Sequence, residues 1–136
     1  MIDVVTTLQS KNIRATPARQ KVLEYFTKIK NPVSVDQMQE SAKIKRLALD
    51  TVTLYRIIHL FTEKNILREI DLHEGKFRYE IFSQEHHHHI VCTHCGKIQD
   101  VDPCLPEGWK KKLEKSTHYQ IATHSLEFFG LCKSCQ

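Results

Sequence analysis

The chain has 136 residues, 40% hydrophobic and 26% charged, the balance of one ordinary globular domain or two small ones rather than of a disordered or fibrous protein. No apolar run approaches the roughly 18 to 20 residues of a membrane helix, and the first residues lack the basic region and cleavage site of a secretory leader, so the expectation is a cytoplasmic protein without a membrane partner. The net charge of +4 is unevenly spread: residues 1–82 hold 14 Lys and Arg against 10 Asp and Glu, whereas 83–136 hold 6 of each, a bias that suits a polyanionic partner.

Residues 2–10 predict a short amphipathic helix, broken by Lys11-Asn12-Ile13-Arg14. Thr16 then reads as an N-cap with Pro17 at the first helical position, opening a helix to about Lys30 with Val22, Leu23, Phe26 and Ile29 inside. Pro32 cannot continue it. Ser34 caps a third helix to about Ala42, with Val35, Met38 and Ala42 on one face, and a basic loop, Lys43 to Arg46, follows. Asp50 caps a fourth helix ending near Lys64, whose core face is Leu54, Ile58 and Phe61. Thr51, Thr53, Tyr55, Arg56 and His59 fall elsewhere on it. Hydroxyls, a tyrosine and an arginine near a helix N-terminus suit phosphates and base edges, although such a face is equally compatible with plain solvation.

Ile66 to Leu72 and Lys76 to Phe82 alternate around His73-Glu74-Gly75, the pattern of a β-hairpin. Helices followed by a hairpin make a winged helix, and Arg68, Lys76 and Arg78 are compatible with its wing. The texture changes at Ser83. His86 to Cys92 and Lys97 to Val101 predict strands on either side of a Cys95-Gly96 turn, Trp109 to Thr117 a basic amphipathic helix, and Tyr119 to Leu131 a further extended segment carrying His124. The expected class is therefore α+β: a winged helix over 1–82, then a small α/β module over 83–136. That module has few apolar residues, so metals and a partner subunit would help hold it together.

Two C-x-x-C pairs, Cys92/Cys95 and Cys132/Cys135, lie 36 residues apart and offer four thiolates, the set zinc takes in a closed tetrahedral structural site. In a reducing compartment they read as ligands rather than disulfides, and Cys104 is left without a nearby partner. Four consecutive histidines, His86 to His89, run into the first pair. On a strand they would alternate, His86 and His88 on one face and His87 and His89 on the other, so one ribbon could serve two ions. Glu80, Asp100 and Glu107 are the carboxylates that could join them.

Thr16-Pro17-Ala18-Arg19, Thr53-Leu54-Tyr55-Arg56, the histidine run joined to Cys92-Thr93-His94-Cys95-Gly96, His124-Ser125-Leu126-Glu127, Gly130 and the last C-x-x-C together resemble the ferric-uptake-regulator family of metal-responsive transcription factors. The resemblance implies a DNA-binding winged helix joined by a hinge to a dimerisation domain. It implies structural zinc on Cys92, Cys95, Cys132 and Cys135, a hinge-side regulatory site of Glu80, His87, His89 and Asp100, and a site within the dimerisation domain of His86, His88, Glu107 and His124. Tyr55 and Arg56 would face DNA beside Thr53, with Arg19 on phosphate and Arg14 near the minor groove. The chain departs from many members by lacking a histidine between the second and third helices, where Asn31-Pro32-Val33 stands. Asp71 or His73 would then complete the hinge site.

The function expected is that of a homodimeric, metal-dependent regulator, a repressor of metal-homeostasis or stress genes, on a near-palindromic operator. Structural Zn2+ and a second divalent ion, Zn2+, Fe2+ or Mn2+, would be its cofactors, with zinc, iron, manganese and peroxide sensing all open. A metallohydrolase is the rival class. No H-E-x-x-H motif supplies a base beside a metal pair, so no enzyme and no small-molecule substrate are expected. A zinc-storage protein would lack salt-sensitive DNA binding.

Overall fold

The computed structural model describes residues 2–83, 86–102 and 105–136, the Ala42 side chain apart. The chain divides into two compact units, Met1–Phe82 and Ser83–Gln136. Cys104 lies outside the described residues, and with it the question of its role.

The first unit begins with α1 (Val4–Ser10) and α2 (Pro17–Lys28). Asp3 caps α1 through the Val5 N–H, and Thr16 caps α2 through the Arg19 N–H, with Pro17 where its missing N–H costs nothing. A capping box opens α3 (Val35–Glu40): the Ser34 hydroxyl accepts from the Gln37 N–H, and the Gln37 side chain accepts from the Ser34 N–H.

The expected run to Ala42 stops early. Ser41 is extended, and a four-residue helix, α4 (Ala42–Lys45), replaces the expected basic loop. The physical reason is Ile44, which is buried although its neighbours Lys43 and Lys45 are exposed. One turn of helix carries this lone apolar side chain inward while leaving the charges in water. Asp50 caps α5 (Thr51–Glu63) through the Thr53 N–H, and Leu54, Ile57, Ile58 and Phe61 pack inside.

The hairpin is β1 (Leu67–Asp71) with β2 (Phe77–Ile81), paired so that Arg68 faces Glu80, Ile70 faces Arg78 and Asp71 faces Phe77. Positive φ at His73 and Gly75 closes its turn. Tyr79 also exchanges both backbone hydrogen bonds with Val33, at 2.8 and 3.0 Å, so the connection between α2 and α3 forms a third rung beside the hairpin. Leu8, Val22, Leu23, Phe26, Met38, Leu54 and Phe61 sit at the centre of a continuous core that reaches Leu67 and Tyr79.

The second unit is a sheet ordered β4 (Ile98–Val101), β3 (His88–Cys92), β5 (Glu127–Gly130), antiparallel on one side of β3 and parallel on the other. Between β4 and β5 runs α6 (Trp109–Thr117), at the expected position. Two expectations are corrected. The central strand starts at His88, not His86, and the expected extended segment 119–131 is regular strand only over Glu127–Gly130, so His124 precedes the strand. The cause is pairing, because a parallel partner is needed only where β3 has a free edge.

No residue of α6 is buried, and Trp109, Phe128, Phe129 and Leu131 stand exposed. Among the described residues, no helix is long and apolar enough to cross a membrane.

Phe61→Ala should destabilise the first unit by about 3 to 5 kcal/mol in urea unfolding, and Ser34→Ala by about 1 kcal/mol through the lost capping box. A Phe61→Ala loss below about 1 kcal/mol would contradict the packing described.

Candidate metal centres and nucleic-acid interface

Cys92 ends β3, and the turn after it returns Cys95, with Gly96 at φ +76 donating to the Cys92 carbonyl at 2.9 Å. Cys92 pairs in register with Gly130, so the chain leaving β5 delivers Cys132 and Cys135 to the same place. Thr93 N–H donates to the Gly130 carbonyl at 2.8 Å and Cys132 N–H to the Cys92 sulfur at 3.3 Å. One ligand atom from each of the four cysteines lies within 4.8 Å of the others, and all four are free thiols.

The Cys95 and Cys132 sulfurs are 3.8 Å apart. A tetrahedral zinc with bonds of about 2.3 Å would set its sulfurs about 3.8 Å apart, so the donor type and the spacing fit zinc. Backbone N–H groups, first that of Cys132 and then that of Cys95, hold the Cys92 thiol down to about 5. Hydrogen bonding to the Cys132 side chain, with burial and the other two cysteines, pushes the Cys135 thiol up to about 12. Four sulfurs this close cannot all ionise without a cation among them.

The even histidines form a second cluster. His86 Nε2 and His124 Nε2 are 2.8 Å apart, and His124 Nε2 and His88 Nε2 are 3.4 Å apart. Nitrogens on a tetrahedral zinc would be about 3.3 Å apart, so three imidazoles converge at a spacing a metal could take over. His88 is buried, and burial, with the charges His86 and His124 would carry, lowers its pKa and favours the neutral ligand form. Glu107 is not part of this cluster. It lies exposed in the turn before α6, with Gly108 in the left-handed region after it.

The odd histidines occupy the other face. The His87 and His89 rings are 5.0 Å apart, and His89 Nε2 lies 3.6 Å from Asp100 Oδ1 across the β3/β4 pair. On its other side His89 pairs with Glu127, so two carboxylate residues flank one buried imidazole in the sheet. Glu127 was missed as a candidate because the only signal for it is the parallel register, which no spacing in the sequence announces.

In the first unit Glu80 is buried on β2, and Arg68 donates to its Oε1 from Nε at 3.1 Å and from Nη2. Asp71 and His73 are not brought to Glu80. Asp71 is an odd number of residues from Arg68, so it lies on the opposite face of the hairpin, and its Oδ1 accepts the His73 N–H at 2.8 Å to close the exposed turn.

The exposed side of α5 presents Thr51, Tyr55, Arg56 and His59, while Thr53 is half-buried at the cap. With Val52, Glu69 and Tyr79 they line a groove of about 440 Å³, where the Tyr79 hydroxyl donates to Glu69 at 3.1 Å. Arg14 is exposed beside the N-terminus of α2, and Arg19 Nη1 donates to its carbonyl at 3.0 Å. Two helix N-termini therefore carry cationic and hydroxyl groups, which is chemistry suited to phosphate oxygens.

Residues 10–129 match the model of the ferric uptake regulator family. The peroxide-responsive repressor PerR of Staphylococcus saprophyticus is 26% identical over 134 residues, covering 98% of this chain and 90% of that protein. The ferric uptake regulation protein of Neisseria meningitidis serogroup B is 27% identical over 133 residues, covering 97% and 92%. Among solved structures, the ferric uptake regulator of Francisella tularensis with iron aligns at TM-score 0.78 and 28% identity over 90% of this chain and 94% of that one.

Zinc loading of the metal-free protein at pH 7 should release protons, because Cys135 holds its proton well above that pH and must lose it to ligate. A pH indicator in weak buffer reads this directly, and zinc affinity should fall as pH is lowered. Zinc uptake without proton release would rule out the four-thiolate site, and Cys132→Ser should abolish retention of zinc against a chelator.

Proposed function

This chain belongs to the ferric uptake regulator family, and on that premise we propose a detailed reading of its action. The protein is a metal-dependent, DNA-binding transcriptional regulator. It acts as a cytoplasmic homodimeric repressor of metal-homeostasis or stress genes, with a divalent cation as corepressor. The observation that carries this reading is the histidine run. One short stretch beside four clustered thiols puts His86 and His88 together with His124, and His87 beside His89 as a second pair.

Cys92, Cys95, Cys132 and Cys135 would hold a permanent zinc, which supplies the cross-links that the small second unit lacks. His86, His88 and His124 would hold an ion inside that unit, with Glu107 available only if its turn rearranges. Glu80, His87, His89 and Asp100 would be the donors of the regulatory site. A divalent cation bound there supplies positive charge that favours whichever arrangement of the two units brings all four donors together. Differential affinity for that arrangement is the only lever, and each 1.4 kcal/mol of it shifts the population about tenfold. Zinc is the regulatory ion this donor set suits, because Asn31-Pro32-Val33 offers no histidine and Asp71 lies on the hairpin face opposite Glu80.

Tyr55 and Arg56 would read base edges from α5, with Thr53 and its Asp50 cap at the phosphate level. Arg14 and Arg19 would neutralise phosphates from α2. The exposed apolar groups Phe128, Phe129 and Leu131 support a second copy as the partner that covers this unit, and two copies suit a near-palindromic operator.

A gel-shift titration of protein that keeps its structural zinc, stripped of exchangeable metal and reloaded with buffered zinc, ferrous iron or manganese, should show operator binding only with metal, at the lowest free concentration with zinc. Binding equally tight without exchangeable metal would end the corepressor reading. Arg56→Ala should weaken operator binding by at least about tenfold, and Arg19→Ala should also lower the salt dependence.

A further inference from the structure

We propose that Glu69 selects cytosine in the operator, accepting from its exocyclic amine in the groove beside α5, with the Tyr79 hydroxyl holding the carboxylate in place. The proposal rests on the reading of α5 as the helix that meets DNA, and it adds a base-reading residue from the hairpin. Every residue it uses lies in the first unit.

Glu69 is exposed on β1 and stands opposite Tyr79 in the hairpin register. Both line the groove of about 440 Å³ along α5, together with Tyr55 and Arg56. A duplex edge that reaches Tyr55 and Arg56 therefore also meets Glu69. Among the described residues lining this groove, Glu69 is the one carboxylate. Two nearby cationic groups are engaged with other acids: His59 Nε2 lies 3.4 Å from Glu63 Oε1, and Arg68, the residue before Glu69, points to the other strand face, where it donates to Glu80.

The carboxylate is held from behind. The Tyr79 hydroxyl donates to Glu69 Oε2 at 3.1 Å, and Tyr79 is itself fixed by burial and by its two backbone bonds to Val33. Burial, with the negative charge of Glu69, raises the phenol pKa, so Tyr79 keeps the proton it donates. An ionised carboxylate accepts only, and its two oxygens offer about four lone-pair sites, so one bond from Tyr79 leaves capacity for a further donor.

DNA narrows what that donor can be. Phosphate oxygens repel a carboxylate, and on the major-groove edge guanine O6 and N7 and thymine O4 are acceptors too. The donors there are the amines of cytosine N4 and adenine N6. Adenine sets its N7 acceptor beside the amine, where it opposes a second carboxylate oxygen, so cytosine is the base that Glu69 suits. Tyr79 acts through Glu69 and is a positioning residue.

The test uses the full-length protein with its metals and a library of random DNA duplexes, from which wild type, Glu69→Ala, Glu69→Gln and Tyr79→Phe each select binders at one fixed salt concentration. Wild type should select a C·G pair at one position of each half-site, and replacing it by T·A should weaken binding by about tenfold, the ordinary cost of one mismatched pair. Glu69→Ala should become indifferent at that position and keep the others. Glu69→Gln should shift the preference towards adenine, because a side-chain amide pairs with both N6 and N7. A purely structural pair would not redirect base choice in this way. Tyr79→Phe should still prefer cytosine, with a smaller penalty for thymine. Identical preferences in all four proteins, or a uniform gain in affinity for every sequence in Glu69→Ala, would overturn the proposal and leave the DNA reading standing. No sequence selected by wild type with zinc, ferrous iron or manganese would overturn that reading, and the proposal with it.

Discussion

A parallel pair of strands cannot be joined by a tight turn; the chain must leave one strand, cross over, and return in the same direction. In the second unit that crossover is β4 and α6, and the return is β5 alongside β3. Both candidate donor clusters within this unit depend on it. The pairing of Cys92 with Gly130 brings the last C-x-x-C onto the first, and the segment entering β5 carries His124 to His86 and His88. A slip of one residue in that register would send alternate side chains to the wrong face and separate both sets of donors. The four thiols and the three imidazoles are thus one consequence of a single strand pairing, read at its two ends.

That pairing is not held by a conventional core. Among the described residues, Val91, Cys92 and Ile98 are the buried apolar groups of the unit, together with two buried histidines, while no residue of α6 is buried. Packing alone is weak for a unit this small. Electrostatics make the need sharper, because Cys92 is set to ionise while Cys135 is forced to stay protonated, and His88 is pressed towards neutrality by burial and its imidazole neighbours. A cation among the four sulfurs would remove the penalty on ionising Cys135. In the first unit the division is the opposite: a continuous apolar core supplies stability, and the polar groups at its helix N-termini remain outside for a partner.

Much of this was legible in the residues. Thr16-Pro17, Ser34 and Asp50 mark helix starts by chemistry that acts within three residues, so those caps are where expected. The hairpin and α6 follow from equally local patterns. Local signals failed where a distant partner decides. Ile44 looks like loop until the core it enters is known, and His124 looks like strand until β3 shows where its free edge lies. The odd and even grouping of the histidines was legible from strand alternation, although only His88 and His89 lie on β3. The Arg68 and Glu80 pair, the Glu127 and His89 pair and the hairpin face of Asp71 were not, since each depends on which residue stands opposite.

The Val33 and Tyr79 rung has a mechanical side. Tyr79 is the residue before Glu80, and its two backbone bonds tie β2 to the connection between α2 and α3, while the Arg78 side chain ties the same strand to the Pro32 carbonyl. The hairpin is therefore not a free flap. Through that strand the backbone before Glu80 is tied to the connection that leads into α3. The wing is stitched to the helical body rather than hung from it.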